Sequence, residues 1–311
     1  MRDSKKLGKR IWDPRKSTVE AVPNKLVVSH EQPGIMGQAH WHAQVEVNFV
    51  FRGALQYRMH GHTLGLAAGD LCLFWGGLPH QLVDTTEDAF FIAIHLPLVH
   101  FFRLRLPANL THKLMHGATI VTAEPDPADP ASFDRLSTYM RSDNAARRQH
   151  AVEELLLRID RMQFEPYELI EPAEILDGLG EPLDQQSFHS IGNICDFIAE
   201  NFREDIDSAD IASSAEIHPK YAMSVFKKST GMTLSRYVSL LRLSYAQALL
   251  MNGDANVLRV AMESGFGSLS AFNNSFRKIS GMSPSDFRKE CRTRVSMVRT
   301  NRPERRDGKL N

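Results

Sequence analysis

Phe226-Lys227-Lys228-Ser229-Thr230-Gly231-Met232-Thr233 and Phe276-Arg277-Lys278-Ile279-Ser280-Gly281-Met282-Ser283 state one pattern twice, 50 residues apart. Each ends an amphipathic helix on a glycine, the residue that enters the left-handed conformation at least cost. The likeness runs upstream: Ala212 precedes Ile217 by the same five residues that separate Ala261 from Phe266, and the following turn is one residue longer in the second copy. A short helix, a tight turn and a basic helix, repeated, predict a tandem helix-turn-helix.

Working outward, each second helix has an inner and an outer face. In the first copy Pro219 fits the opening turn, where its missing N–H is not needed. Ala222, Val225 and Phe226 face in; Lys220, Ser224 and Lys227 face out, with Tyr221 at the edge. In the second copy Phe272, Phe276 and Ile279 face in. Ser268 and Ser270, either of which suits the cap, stand with Asn273, Asn274 and Arg277 on the outer side. Asparagine can pair bidentately with adenine, and arginine with guanine or phosphate. Between the copies, Leu234 to Met251 reads as one helix with the stripe Leu234, Tyr237, Val238, Leu241, Tyr245, Ala248 and Leu249. At the ideal rise it is about 27 Å long, a strut suited to setting two recognition helices one turn of DNA apart, roughly 34 Å. Ser208 is the expected cap of the helix Ala209 to Ala215.

The net charge of zero conceals an asymmetry: residues 190–311 hold 18 Lys/Arg against 13 Asp/Glu, and residues 1–189 hold 19 against 24. Basic residues on the repeated helices read as a phosphate footprint. No apolar run approaches the roughly 18 residues of a membrane span, which argues against a membrane partner. The basic start lacks an apolar signal core. Cys72, Cys195 and Cys291 are widely spaced, as expected of buried thiols in a reducing cytoplasm.

The N-terminal half has short strands punctuated by Gly34, Gly37, Gly53, Gly61, Gly65, Gly69 and Gly76-Gly77, the pattern of a small antiparallel barrel. Its central strand is expected over 40–49. His40, His42, Gln44, Glu46 and Asn48 share one face; Trp41, Ala43, Val45, Val47 and Phe49 share the other. His40, His42, Glu46 and Gly53, followed by Gly69, Gly77 and His80, resemble the two motifs of the cupin barrels, with Trp75 and Asp84 in place of the second motif's proline and asparagine. By that resemblance the polar face points into the barrel. Three uses stay open. His40, His42, Glu46 and His80 are residue types that bind a divalent transition metal. With Gln44 and Asn48 they also suit a polar small molecule, Trp41 or Trp75 supplying a ring for a sugar face. Or they form a closed structural network. No further acid, base or nucleophile stands at a recognisable spacing, so an enzyme is disfavoured.

After residue 96, Leu98 to Phe102 is helix-like, and Glu124 to Pro130 is a connection. Helices are expected over Phe133 to Met140 and Ala145 to Phe164. In the latter, Val152, Leu155, Leu156, Ile159 and Met162 form one stripe, which packs either on its own barrel or on a second copy. Residues 165–186 are acidic and rich in proline and glycine, a linker by composition.

Ala261, Gly265, Phe266, Ser270, Phe272, Phe276, Arg277, Gly281, Ser283, Pro284, Phe287 and Arg288 carry the signature of the AraC/XylS transcription regulators, which the chain resembles over about residues 190–291. The resemblance implies a cytoplasmic regulator that binds a specific sequence of double-stranded DNA, with RNA polymerase as partner, as a homodimer. It implies activation under a small-molecule effector, a sugar such as an α-galactoside. Alternatives are a non-sugar effector, a repressor, or a metal-dependent cupin enzyme with a DNA-binding tail. No cofactor is expected to be required for DNA binding. Many family members carry arginine where Ser224 and Asn274 stand, so base preference is not transferable.

The expected fold class is α+β, a cupin-like β-barrel with a helical extension before an all-α double helix-turn-helix domain. The expected boundaries are an arm over 1–24, the cupin-like domain over 25–130, the helical extension over 131–164, the linker over 165–189, the DNA-binding domain over 190–291 and a basic tail over 292–311.

Overall fold

The computed structural model describes residues 9–13, 19, 22, 25–59, 62–172, 185–230, 232–252 and 255–291. The basic tail, Gly231, residues 173–184 of the expected linker and much of the N-terminal arm lie outside the described residues.

The N-terminal half is mixed but dominated by strands: β1 (Arg10–Ile11), β2 (Val27–Glu31), β3 (Gly34–Ile35), β4 (Val45–Arg52), β5 (Ala54–Met59), β6 (His62–Ala67), β7 (Leu71–Trp75), β8 (His80–Thr85), β9 (Phe90–Leu96), β10 (Thr119–Thr122) and β11 (Tyr167–Ile170). One sheet runs β11-β10-β7-β4-β9-β2, a second β6-β5-β8, and β1 pairs with β3. The two larger sheets face each other without closing into a continuous barrel. Alternation along β4, β7 and β9 sorts the larger sheet into two buried faces. Val50, Cys72, Phe74, Phe91 and Ala93 meet the smaller sheet. Val45, Val47, Phe49, Leu71, Leu73, Trp75, Ile92, Ile94 and Leu96 belong to a larger core continuous with the helices. The polar residues Glu46 and Asn48 therefore lie between the sheets rather than in water.

Regular strand pairing begins at Val45, not at His40. Residues 40–44 keep the alternation but hold their place by separate bonds: His40 and His80 exchange backbone hydrogen bonds, His42 N–H donates to the Gly76 carbonyl, and Gly76 N–H donates to that of Gln44.

Helices α1 (Leu98–Phe101), α2 (Ala108–Met115), α3 (Asp129–Met140) and α4 (Ala145–Arg161) follow the strands. The α4 stripe Val152, Leu155, Leu156 and Ile159, with Met162 beyond it, is buried within the chain, so it serves the chain's own core. Leu157 and Phe164 are the apolar residues left outside. Arg158, on the buried side, forks onto Asp129 with bonds of 2.5 and 2.7 Å and reaches Glu165 at 3.0 Å.

The C-terminal half comprises α5 (Gln185–Asn201), α6 (Ser208–Ser214), α7 (Pro219–Thr230), α8 (Leu234–Asn252), α9 (Val257–Glu263) and α10 (Leu269–Ser280), then a helical stretch over 284–291. The cap of α6 is Asp207, not Ser208. Its carboxylate accepts from Ala209 and Asp210 N–H, and Asp210 closes the capping box. A charged acceptor at the positive end of a helix is preferred to a neighbouring hydroxyl. Ser268 caps α10 and Gly281 ends it at φ 74°. The two halves share a core: α1 packs on α5 and α2 on α7. No helix among the described residues is long and apolar enough to cross a membrane.

Candidate functional site

The repeat is reproduced atom for atom at the helix ends. Thr230 Oγ1 lies 2.8 Å from the Phe226 carbonyl and accepts from Met232 N–H at 3.2 Å. Ser280 Oγ lies 2.7 Å from the Phe276 carbonyl and accepts from Met282 N–H at 3.3 Å. A hydroxyl folding back onto the last turn fixes where each basic helix stops. Phe226, Phe272 and Phe276 are fully buried. Lys220, Tyr221, Ser224 and Lys227 are exposed on α7. On α10 and its cap, Ser268, Ser270, Asn274 and Arg277 are exposed and Asn273 is half-buried. The Ser268 hydroxyl is engaged in accepting from Ala271 N–H at 3.2 Å, so it shapes the helix start. Sequence reasoning missed Met223, exposed on the same outer face; its three-residue spacing from Lys220 and four from Lys227 was the available signal.

Between the sheets, His40, His42, Glu46 and His80 are all buried, with one potential ligand atom from each lying within 4.8 Å of the others. Glu46 is the centre. His42 Nε2 and His80 Nε2 each lie 3.2 Å from Glu46 Oε2. Asn48 donates to Oε1 at 2.9 Å and the Tyr57 hydroxyl reaches the same oxygen at 3.4 Å. Burial pushes the His42 pKa down to about 3, against the opposing hydrogen bond to Glu46. Burial also works against the Glu46 charge, but the hydrogen bonds from His42 and His80 hold its carboxyl well below the usual range. Burial and the neighbouring Glu46 charge push the Tyr57 hydroxyl well up. A neutral imidazole beside a carboxylate anion is the donor form a divalent transition metal requires. The residues present fit such an ion.

His95 belongs to this cluster and was not anticipated. It pairs across the sheet with Glu46, its Nε2 lying 3.8 Å from Oε2. Strand register brings them together, and nothing local in the sequence announces it. A cavity of about 190 Å³ opens beside the cluster, lined among others by Trp12, Glu31, His40, Glu46, Tyr57 and His95.

Several residues expected in the pocket lie elsewhere. Trp41 is buried against the C-terminal half, its ring 5.5 Å from that of Phe276. Trp75 is in the core on the far side of the sheet, donating to the Ala43 carbonyl at 3.4 Å. Both are on the opposite side of the alternation from His40 and Glu46, so neither offers a stacking face to the cavity. Gln44 spends its amide on the Val19 and Val22 carbonyls, both at 3.1 Å. It anchors the N-terminal segment and does not line the cavity. Asn48 supports Glu46 from behind.

Comparison with known proteins agrees with this architecture. The family described as a helix-turn-helix domain matches residues 211–290, and the cupin domain family matches residues 27–95. The chain is 29% identical over 265 residues to the melibiose operon regulatory protein of Escherichia coli K12, covering 85% of this chain and 88% of that protein. It is 23% identical over 268 residues to the HTH-type transcriptional activator RhaR of Yersinia pestis bv. Antiqua, with the same coverages of 85% and 88%. A crystal structure of ToxT from Vibrio cholerae O395 superposes with a TM-score of 0.48 at 13% identity, covering 86% of this chain and all of that one. The two sequence relatives are named as an operon regulatory protein and a transcriptional activator, not as enzymes. With a cupin domain before a duplicated helix-turn-helix whose outer faces are exposed, the chain has the architecture of the AraC-type DNA-binding transcription regulators and is similar to them along most of its length.

Proposed function

We propose that the chain activates transcription by laying α7 and α10 in consecutive major grooves of one operator, under the control of a small polar effector held beside Glu46. The observation that carries this reading is the pairing of two exposed recognition faces, 50 residues apart, with a buried polar cluster that opens on a cavity. Lys220, Tyr221, Ser224, Lys227, Ser270, Asn273, Asn274 and Arg277 contact DNA, and Ser268 sets the start of the second helix. The favoured effector is a sugar such as an α-galactoside, supported by the likeness to a melibiose operon regulator. The cavity is smaller than the roughly 300–1,000 Å³ of drug-sized sites, so it suits a single sugar ring. His40, His42, Glu46 and His80 would hold a divalent metal, which would fix and polarise a sugar hydroxyl. Action on RNA polymerase, a homodimeric state and a cytoplasmic location complete the proposal.

A thermal-shift screen of sugars and divalent metals, followed by footprinting of the promoter, tests it. Stabilisation by a sugar or metal, with a footprint spanning two adjacent turns, is the expected result. No preference for promoter over random DNA in the presence of every candidate effector would overturn it.

Two substitutions probe the parts separately. Arg277→Ala is expected to weaken operator binding by about 1–3 kcal/mol if Arg277 reads a base, or to reduce the salt slope by about one if it holds a phosphate. Binding measured across a salt series separates the two, and no change in either removes Arg277 from the interface. Gly76→Ala would put a methyl 2.0 Å from the His42 ring carbon. His42 is fully buried, so its ring must shift from the position in which it bonds Glu46. Zinc binding is expected to weaken by about 10–100-fold, as when the support of a ligating imidazole is removed. Calorimetric titration with zinc would show it.

A further inference from the structure

His40 and His42 point into the polar cluster, and Trp41 between them points the other way. Its indole, 1% exposed, lies edge-on to Phe276 of α10 at 5.5 Å and tilted against Phe287 at 6.0 Å. The fully buried amide of Gln247, in α8, donates to the Trp41 carbonyl at 3.1 Å. Gln38 donates to the sulfur of Cys291 at 2.8 Å. One short segment, 38–42, thus touches the polar cluster through His40 and His42 and clasps α8 and the second DNA-binding unit through Gln38 and Trp41.

The clasp is built to open. Trp41 Nε1 and Gln247 Oε1 are both buried without a hydrogen-bond partner among the described residues. Undocking returns both to water, which offsets part of the lost packing. Residues 41–44 also lie outside the regular strand, so they can shift without breaking β4. The far side of the contact is a lever. Phe276 is the inward residue beside the outward Arg277, so moving α10 at Phe276 carries Asn274 and Arg277 with it as a rigid body. The first unit is held separately, through α2 against α7.

We propose that Trp41 is the mechanical link between the effector cluster and the second helix-turn-helix unit: rearrangement of His40 and His42 around a bound ligand repositions Trp41 between Phe276 and Phe287, and so resets α10 relative to α7. This rests on the reading of the cluster as a ligand site and adds its route to the DNA. Coupling between two sites is reciprocal, so a change at the clasp must alter binding at the cluster, and a change at the cluster must alter the clasp.

The test uses the full chain. Hydrogen exchange of peptides covering 272–291 is compared in wild type and Glu46→Gln without metal, with peptides covering 208–228 as the internal reference. Zinc affinity is then compared in wild type, Gln247→Leu and Met262→Ser, an exposed control on α9. The expected result is a change of at least threefold in exchange over 272–291 with the reference unchanged. Zinc affinity should shift at least threefold in Gln247→Leu and stay unchanged in Met262→Ser. If Glu46→Gln does not fold, His80→Gln takes its place. Unchanged exchange over 272–291, or a Gln247→Leu protein that binds zinc as wild type does, overturns the link. If zinc does not bind the wild type at all, the metal reading fails by itself, and the metal-free exchange comparison still decides the coupling.

Discussion

Glu46→Ala is expected to abolish the response to inducer while operator binding stays measurable. Glu46 is the one carboxylate of the buried metal-competent group. Two imidazoles converge on one of its oxygens, and an amide and a phenol on the other. Removing it leaves His42 and Tyr57 without their acceptor, each an unsatisfied buried donor costing about 1–3 kcal/mol, while Asn48 keeps the Tyr57 hydroxyl at 3.4 Å. Some loss of stability therefore accompanies the loss of response, and Glu46→Gln keeps the shape while removing the charge. The exposed outer faces of α7 and α10 lie opposite the buried Phe226 and Phe276 and away from the cluster, which is why operator binding should survive. A promoter reporter read with and without inducer, together with footprinting of the purified variant, provides the check. Full induction in either variant would remove the cluster from effector sensing.

Arg158→Met is expected to cost about 3–5 kcal/mol of stability, the range for breaking a buried ion pair by removing one partner. Asp129 and Arg158 are 1% and 8% exposed, and the guanidinium meets both carboxylate oxygens. The single substitution leaves the buried Asp129 with only the more distant Arg161 guanidinium, 3.9 Å away, among the described cations. Adding Asp129→Leu removes the stranded charge, so the double variant should recover most of the loss. Urea unfolding of the wild type, both singles and the double completes the cycle. A single variant within 1 kcal/mol of wild type would mean that water reaches Asp129.

How much of this was legible varied with the range of the interaction. The tandem unit was legible because its signals are local: a proline at a helix start, a glycine at its end, aromatics at helical spacing between. The polar cluster was half legible. Alternation told which of residues 40–49 share a face, and the second motif supplied His80. It could not supply His95, which reaches Glu46 only through the register of β4 on β9. Nor does alternation say what the opposite face packs against. Trp41 looked like a sugar platform because aromatic residues beside polar ones often are. Its actual neighbours, Phe276 and Phe287, are more than 200 residues away in sequence. Gln44 went astray for the same reason, since its partners are backbone carbonyls of the N-terminal segment.

The matched hydroxyl locks at Thr230 and Ser280 make the two basic helices behave as interchangeable cassettes. Because each is stopped at the same point relative to its own aromatic anchor, Lys220, Ser224 and Lys227 superpose in number on Ser270, Asn274 and Arg277. Transplanting those three outward side chains from one copy to the other leaves every buried contact in place. On the proposed contacts, such a chimaera would draw the two helices towards one half-site preference, with Tyr221 and Asn273 still telling them apart, a route to rewriting operator choice without redesigning the protein's interior.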